Sequence, residues 1–532
     1  MNVNFQLIAP ILTLAAAAII VLVLDLILRF ERARRPWFIV TVAGLLLAGW
    51  YTFDLWRYIE PAASVAGSVT AGNLSAGISG FAEAFHADRF SLAFSGIILA
   101  AALGGTLLSV RRREDDMSGF LALVLLAAAG MTAIVGGSSL ITIFIGLELF
   151  SLSLYVGVGF RKNDVRSKEG ALKYLILGSV ASGLLLYGFA LIYGSTGTVL
   201  LSGIQQHWET VGAAGMTTLY GVGLALALIG FAFKMALVPF HTWAPDAYEG
   251  APAALTGFMA VGTKAAAFAA LIRLLAVSVP LDVLGNVLLP IVILGMLSMF
   301  VGSILAAQQQ NMKRLLAYSG ISHAGYLVLA LPGLTSDGVS AAVFYLLAYL
   351  FMTLGAFAIV VWLGDRPDAG AGLAAYRGLF YRRPILAAML TLFLLSLAGV
   401  PATGGFMGKL LLLKTGIDQG VILLVVSFIL TTGISAFAYL RVVLSMCQKP
   451  AEEAVAAVGG YTQVAAAAEP GTLSAETDAE RAALALEREA DQEVRFSWSF
   501  AFVVGIAAIG TLYLGLFPQS VLSSLGSLLA LQ

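Results

Sequence analysis

The sequence predicts an all-α membrane protein of about fourteen transmembrane helices, and three observations carry that reading. Hydrophobic residues make up 60% of the 532 positions and charged residues only 11%, against about 25% charged in a soluble chain. Apolar runs of roughly 20 residues, long enough to cross the hydrocarbon, recur from Leu7 to Phe517. The basic residues between those runs fall mostly on one side. Of 30 Lys and Arg, 21 lie in alternate loops taken as cytoplasmic, against 3 in the loops between them.

The runs cover 7–28, 37–56, 90–110, 118–136, 139–160, 169–193, 219–240, 254–277, 284–306, 314–331, 339–363, 384–413, 421–446 and 497–517. Before the first, residues Met1 to Gln6 carry no Lys or Arg, while Arg29, Arg32, Arg34 and Arg35 follow it. That order is the reverse of a cleaved signal peptide, so 7–28 is read as a retained span that starts outside. Fourteen spans then leave both termini outside. The loop from His241 to Pro252 is assigned to the cytoplasmic side yet holds no Lys or Arg, which the charge rule does not explain.

The long polar stretch 448–495 separates the last two spans. It reads as a solvated cytoplasmic linker with one amphipathic surface helix near its end. The chain divides into a three-helix segment (1–117), two five-helix units (118–277 and 284–447), the linker (448–495) and a final span (496–532). Acidic and basic residues balance at 30 each, so neither nucleic acid nor a polybasic membrane-surface mode is indicated. One cysteine, Cys447, makes no internal disulfide and no zinc or iron–sulfur site, so no cofactor held by this chain is expected.

A charge at the bilayer centre costs about 2.5–3.5 kcal/mol on insertion scales, so each one needs a partner or a wet cavity. Asp25, four residues before Arg29, reads as half of an interfacial pair. Arg273 and Arg441 lie near span ends, where they can snorkel. Glu148 and Lys264 sit near the middle of the fifth and eighth spans and cannot. Lys234 precedes Val238-Pro239, and Lys409 follows Val400-Pro-Ala-Thr-Gly-Gly405.

Proline frees a carbonyl one turn back, so both of these helices are expected to be discontinuous. Interrupted backbone is tolerated at membrane depth only against protein or water. The interruptions fall in the seventh and twelfth spans, the fourth helix of each five-helix unit. Five is odd, so the second unit enters from the opposite side, the trace of an inverted repeat with its site at the broken helices.

Two residues leave alternatives open. Lys173 either pairs with Glu169 one turn earlier or joins a buried chain beside Glu148. His323 is either a packed, hydrogen-bonded histidine or a proton relay.

The strings Phe233-Lys-Met-Ala-Leu-Val-Pro-Phe-His-Thr-Trp-Ala-Pro-Asp246, Tyr248-Glu-Gly-Ala-Pro252, Val261-Gly-Thr-Lys264 and Lys313-Arg-Leu-Leu-Ala-Tyr-Ser-Gly-Ile-Ser-His-Ala-Gly325 closely resemble the antiporter-like subunits of respiratory complex I. The resemblance runs through spans 4–13. Lysine at 409 and the number of spans narrow it, against the member with glutamate there and against the larger member with a lateral helix.

What the resemblance implies is a membrane-arm subunit that translocates protons while NADH, flavin mononucleotide, iron–sulfur clusters and quinone are handled by partner subunits. Those partners would be neighbouring antiporter-like and small membrane-arm subunits in a bacterial inner membrane. It also implies that Glu148 pairs with Lys234, that Lys264 is the central carrier and that Lys409 is nearest the exit. Lys173 and His323 match positions near the same axis. Multi-subunit cation/proton antiporters share these motifs and are the alternative. A proton-inert scaffold would need none of the buried charges.

Overall fold

The computed structural model describes residues 5–28, 35–59, 77–110, 116–212, 217–364, 372–448 and 498–526. The polar linker and Arg29, the expected partner of Asp25, lie outside the described residues. Among the described residues, twelve helices are long and apolar enough to cross a membrane. Helix is the natural state here, because lipid offers no partner to an unpaired backbone group.

In chain order the helices begin with α1 (Phe5–Leu28), α2 (Arg35–Tyr58), α3 (Arg89–Ser109), α4 (Met117–Val135), α5 (Leu140–Val158), α6 (Val165–Thr196), α7 (Leu201–Val211), α8 (Thr218–Met235), α9 (Trp243–Gly250) and α10 (Ala253–Ser278). Then follow α11 (Leu281–Gln308), α12 (Met312–Leu327), α13 (Ser336–Leu363), α14 (Leu379–Arg382), α15 (Pro384–Ala398), α16 (Gly404–Asp418) and α17 (Ile422–Cys447). Helices Trp498–Leu516 and Pro518–Gly526 are the last of the described residues.

Two features depart from the sequence reading. A short antiparallel hairpin, Ile78–Gly80 with Phe85–Ala87, precedes α3. The amphipathic α7 lies between α6 and α8, its Trp208 indole donating to the Ser278 carbonyl at 2.9 Å. Three other helices, α12 of 16 residues and α15 and α16 of 15 each, are shorter than the twelve counted as spans.

Helix starts are set by side chains that take up orphan amides. Asp88 accepts from Ser91 N, Asp164 from Arg166 N, Asn311 from Lys313 N and Thr403 from Phe406 N. Close helix crossings rest on glycine where a Cβ has no room. At Gly130 a Cβ would lie 2.7 Å from the Gly146 carbonyl, so α4 and α5 touch backbone to backbone.

The core centres on α10 and α13. Nearly every residue of α10 is buried, including Lys264 and Arg273. The outward faces of α1, α2, α6 and α17 carry exposed large apolar side chains such as Leu26, Trp50, Ile176 and Leu423, as lipid contact requires.

Helix α8 stops at Met235. Ala236 takes up a left-handed conformation (φ +60°), Leu237 N closes on the Ala232 carbonyl at 2.8 Å, and the Val238-Pro239 peptide is cis. The freed Val238 amide donates to Ser298 Oγ of α11 at 2.8 Å. Helix α15 stops at Ala398 with left-handed Gly399 (φ +89°), and α16 begins six residues later at Gly404.

Candidate functional site

On α5, Glu148, Ser151 and Tyr155 are three and seven residues apart and share a face. Lys234 lies in the last turn of α8, where the unpaired carbonyls favour a cation. Its ammonium donates to Ser151 Oγ at 2.7 Å and to the Tyr155 hydroxyl at 3.1 Å. Ser151 in turn donates to the Leu147 carbonyl. Lys234 makes no direct ion pair with Glu148. No carboxylate of the described residues lies within 4.0 Å of Lys234, and Glu148 Oε1 is buried without a hydrogen-bond partner among them. Glu148 is still close enough to act on Lys234 through space.

Lys264, on α10, donates to the Tyr248 hydroxyl of α9 at 3.2 Å and weakly to the Ala260 carbonyl at 3.4 Å. Gly320 of α12 makes room for it. A Cβ there would sit 3.2 Å from Lys264 Nζ and 3.1 Å from the Tyr349 hydroxyl.

His323 is bonded at both ring nitrogens, to the Tyr345 and Tyr439 hydroxyls, and it lies within electrostatic reach of both Lys264 and Lys409. Around it, Ser319 bonds Tyr439 at 2.5 Å, and Ser303 bonds both Ser322 and Ser435 at 2.8 Å. Lys409 closes the series. Its ammonium donates to the Leu397 and Ala398 carbonyls at 2.9 and 3.0 Å. These carbonyls are orphaned because α15 ends there, so the break itself supplies the partners of the charge.

Relative exposures of Lys234, Lys264, Lys409 and His323 are 2, 3, 5 and 1%. Four separate helices thus bring titratable groups into the protein interior, with hydroxyls and free carbonyls as partners in place of anions.

Lys173 belongs elsewhere. Its side chain is 43% exposed and bonds Glu169 at 2.5 Å and Asp246 at 2.7 Å. Asp246 also takes Arg314 at 2.6 Å, Arg314 takes Glu249 at 2.9 Å, and Arg166 reaches Glu249 at 3.5 Å. Lys173 is therefore the local helix pair extended into a surface network, and within His241–Pro252, which is mostly helix α9, Asp246 and Glu249 face the arginines of α6 and α12. Burial pushes the Asp246 carboxyl up, but hydrogen bonds from Lys173 and Arg314 outweigh it and hold it below the usual range.

Three groups escaped the sequence reading. Lys313, counted as a loop charge, is buried and donates to the Glu249 and Ala251 carbonyls at 2.9 and 2.5 Å, holding the end of α9. Arg273 does not snorkel. One guanidinium nitrogen stands 2.9 Å from both oxygens of Asp88, the N-cap of α3. Asp88 lies just outside an apolar run, so counting charges within runs passes over it. A basic residue most of the way along one span and an acid capping another was the available signal. Asp88, Lys234, Lys264, Lys313 and His323 form a network of buried charged and polar groups.

Among the described residues, no group of three or more His, Cys, Asp or Glu could hold a metal ion, and Cys447 is a free, exposed thiol.

The described residues form a multi-pass helical fold with lysines buried in its interior. Residues 137–435 match the family described as NADH:quinone oxidoreductase/Mrp antiporter, TM, and the chain belongs to it. Within that family it is homologous to NADH-quinone oxidoreductase subunit N. It is 46% identical over 446 residues to subunit N 1 of Symbiobacterium thermophilum, a match covering 83% of this chain and 87% of that protein. A chain of respiratory complex I from Thermus thermophilus superposes with a TM-score of 0.73 at 31% identity, covering 97% of this chain and 99% of that one. A chain of the Mrp complex from a Dietzia species shares the fold, with a TM-score of 0.76 at 22% identity and coverage of 98% and 97%.

Proposed function

We propose that this chain is a membrane-arm subunit of a proton-translocating NADH:quinone oxidoreductase, and that it carries protons through Glu148, Lys234, Lys264, His323 and Lys409. The observation that carries the reading is the burial of three lysines whose ammonium groups are bonded to hydroxyls (Lys234), to carbonyls (Lys409) or to one of each (Lys264), rather than to fixed anions. A buried charge of that kind is expensive and marks an ion pathway by default. Partners built of hydroxyls can both donate and accept, which proton exchange requires. The redox cofactors belong to partner subunits, and this chain supplies no step of electron transfer.

In this account Lys234 and Lys264 repel one another when both are charged. Movement of the Glu148 charge relative to Lys234 changes the field at Lys264 and releases or retains its proton. An external energy source that alternates the two states moves protons one way.

The same reading takes the chain as fourteen spans, with 118–277 and 284–447 as inverted repeats whose seventh and twelfth helices are discontinuous. Both ends and the α16–α17 connection would face outside, and 448–495 the cytoplasm, in a bacterial inner membrane. Support comes from the breaks after Met235 and Ala398, each beside a buried lysine.

The test is Lys234→Ala in an assembled complex. NADH:quinone turnover should fall, because a jammed switch pushes back on the chemistry that drives it. NADH oxidation by an artificial acceptor that bypasses quinone should stay normal. Wild-type quinone reduction with wild-type proton yield would remove Lys234 from the pathway.

A further inference from the structure

We propose that Phe150, Tyr155, Tyr174 and Phe233 form an aromatic cage in which ring faces take the place of a fixed counter-ion for the Lys234 ammonium. The proposal rests on the reading of Lys234 as a proton-pathway group and adds the residues that hold its charge. Lys234 Nζ stands 5.6 Å from the Phe150 ring centre, 5.2 Å from Tyr155, 5.8 Å from Tyr174 and 5.5 Å from Phe233. A cation within about 6 Å of a ring face is attracted by the ring quadrupole, most strongly where water is excluded. Four rings from α5, α6 and α8 meet that condition around one buried ammonium. By contrast, Lys264 has two rings, at 5.8 and 6.0 Å, and Lys409 one, at 5.1 Å.

The Tyr174 ring is built into this position. Trp243 stacks against it at 4.0 Å with an interplanar angle of 6°, and Tyr155 meets it edge-on at 4.5 Å. The Trp243 indole N–H is itself fixed on the Phe233 carbonyl at 3.1 Å. The Tyr174 hydroxyl is buried and makes no hydrogen bond among the described residues, so what it contributes to its surroundings is the ring. A fixed carboxylate at 4.0 Å or less would hold Lys234 in one state. Ring faces and two hydroxyls hold the charge while leaving Glu148 free to modulate it. Phe150, Tyr174 and Phe233 are positioning residues in this account, and the opening of α9 with Trp243 forms the outer wall of the cage.

The experiment uses the whole complex, reconstituted in vesicles, with phenylalanine analogues bearing one, two or three ring fluorines at Phe150. Fluorination drains the ring face of negative charge while nearly keeping its shape, so apolar packing alone responds little. The proton-pumping rate should fall stepwise with fluorine number, on the order of threefold or more at three fluorines. In parallel, Tyr174→Phe should keep near wild-type pumping and Tyr174→Leu should lose most of it. A flat fluorine series, or Tyr174→Leu pumping as well as Tyr174→Phe, overturns the cage. Lys234→Ala is run alongside. Wild-type pumping in that variant overturns the underlying pathway, whereas loss of pumping in Lys234→Ala with a flat fluorine series overturns the cage alone.

Discussion

Replacing Asp88 with asparagine should open the first turn of α3 by a measurable and calculable amount. The carboxylate is fully buried, accepts the Ser91 amide at 2.7 Å and holds one Arg273 guanidinium nitrogen at 2.9 Å from both its oxygens. Asparagine keeps the helix cap, since it caps about as well as aspartate, so the substitution isolates the charge. It leaves Arg273 buried and unpaired, with its Nε already lacking a partner among the described residues. Removing one partner of a buried pair costs about 3–5 kcal/mol. At 1.4 kcal/mol per factor of ten, the lower figure is roughly a hundredfold change in the local opening equilibrium.

The assay is amide hydrogen exchange, read by mass spectrometry on peptides covering residues 88–100 in the solubilised complex. The double variant Asp88→Asn/Arg273→Met removes both charges and should recover most of the protection. Burial raises the Asp88 carboxyl, but the Arg273 and His86 charges and the hydrogen bonds from Arg273 and Ser91 together outweigh it, so it is held below the usual aspartate range. A depressed carboxylate contributes fully above the unfolded value of about 3.9 and loses its contribution as pH falls through the lower folded value. Titration of Asp88 itself therefore changes nothing between about pH 5 and 8. Exchange in Asp88→Asn within about threefold of wild type would refute the reasoning.

How far the sequence disclosed this molecule depends on which force sets each feature. The spans were legible because lipid enforces apolar runs, and Lys234, Lys264 and Lys409 stood out because charge is rare there. That α8 ends before Val238-Pro239 and α15 before Val400-Pro401 was legible from proline chemistry. Partners were not. Whether Lys234 meets Glu148 or Ser151 and Tyr155 depends on rotamers and on how α5 turns against α8, which no spacing encodes. Arg273 resembled a snorkelling residue until the fold brought Asp88 to it across 185 positions. Lys173 had two readings from one i,i+4 spacing, and Asp246, from a different helix, decided between them.

Further outcomes follow from the same geometry. Gly320→Ala should leave assembly intact but slow proton pumping several-fold in reconstituted vesicles, because the new Cβ crowds Lys264 Nζ at 3.2 Å. Asp246→Asn breaks the contacts to Lys173 and Arg314; these groups are partly exposed, so the loss is about 1 kcal/mol or less, seen as a small drop in the midpoint of heat-induced dissociation. Since Asp246 is also held below its usual range, wild-type protein should keep that contribution above about pH 3.9 and lose it only on further acidification. A cysteine at exposed Ser523 should react with an impermeant reagent added outside intact cells, and one at exposed Lys162 should not. The reverse pattern would invert the topology.

The most direct measurement of the central claim is the proton yield per electron pair of the complete complex carrying Lys264→Met. Methionine fills a similar volume without a proton to give, so assembly and packing should survive, and native electrophoresis verifies that they do. If protons pass through this chain, the vesicle-reconstituted variant shows a lower yield per NADH oxidised, together with slowed turnover. A fully assembled Lys264→Met complex with unchanged turnover and an unchanged proton yield would contradict the account.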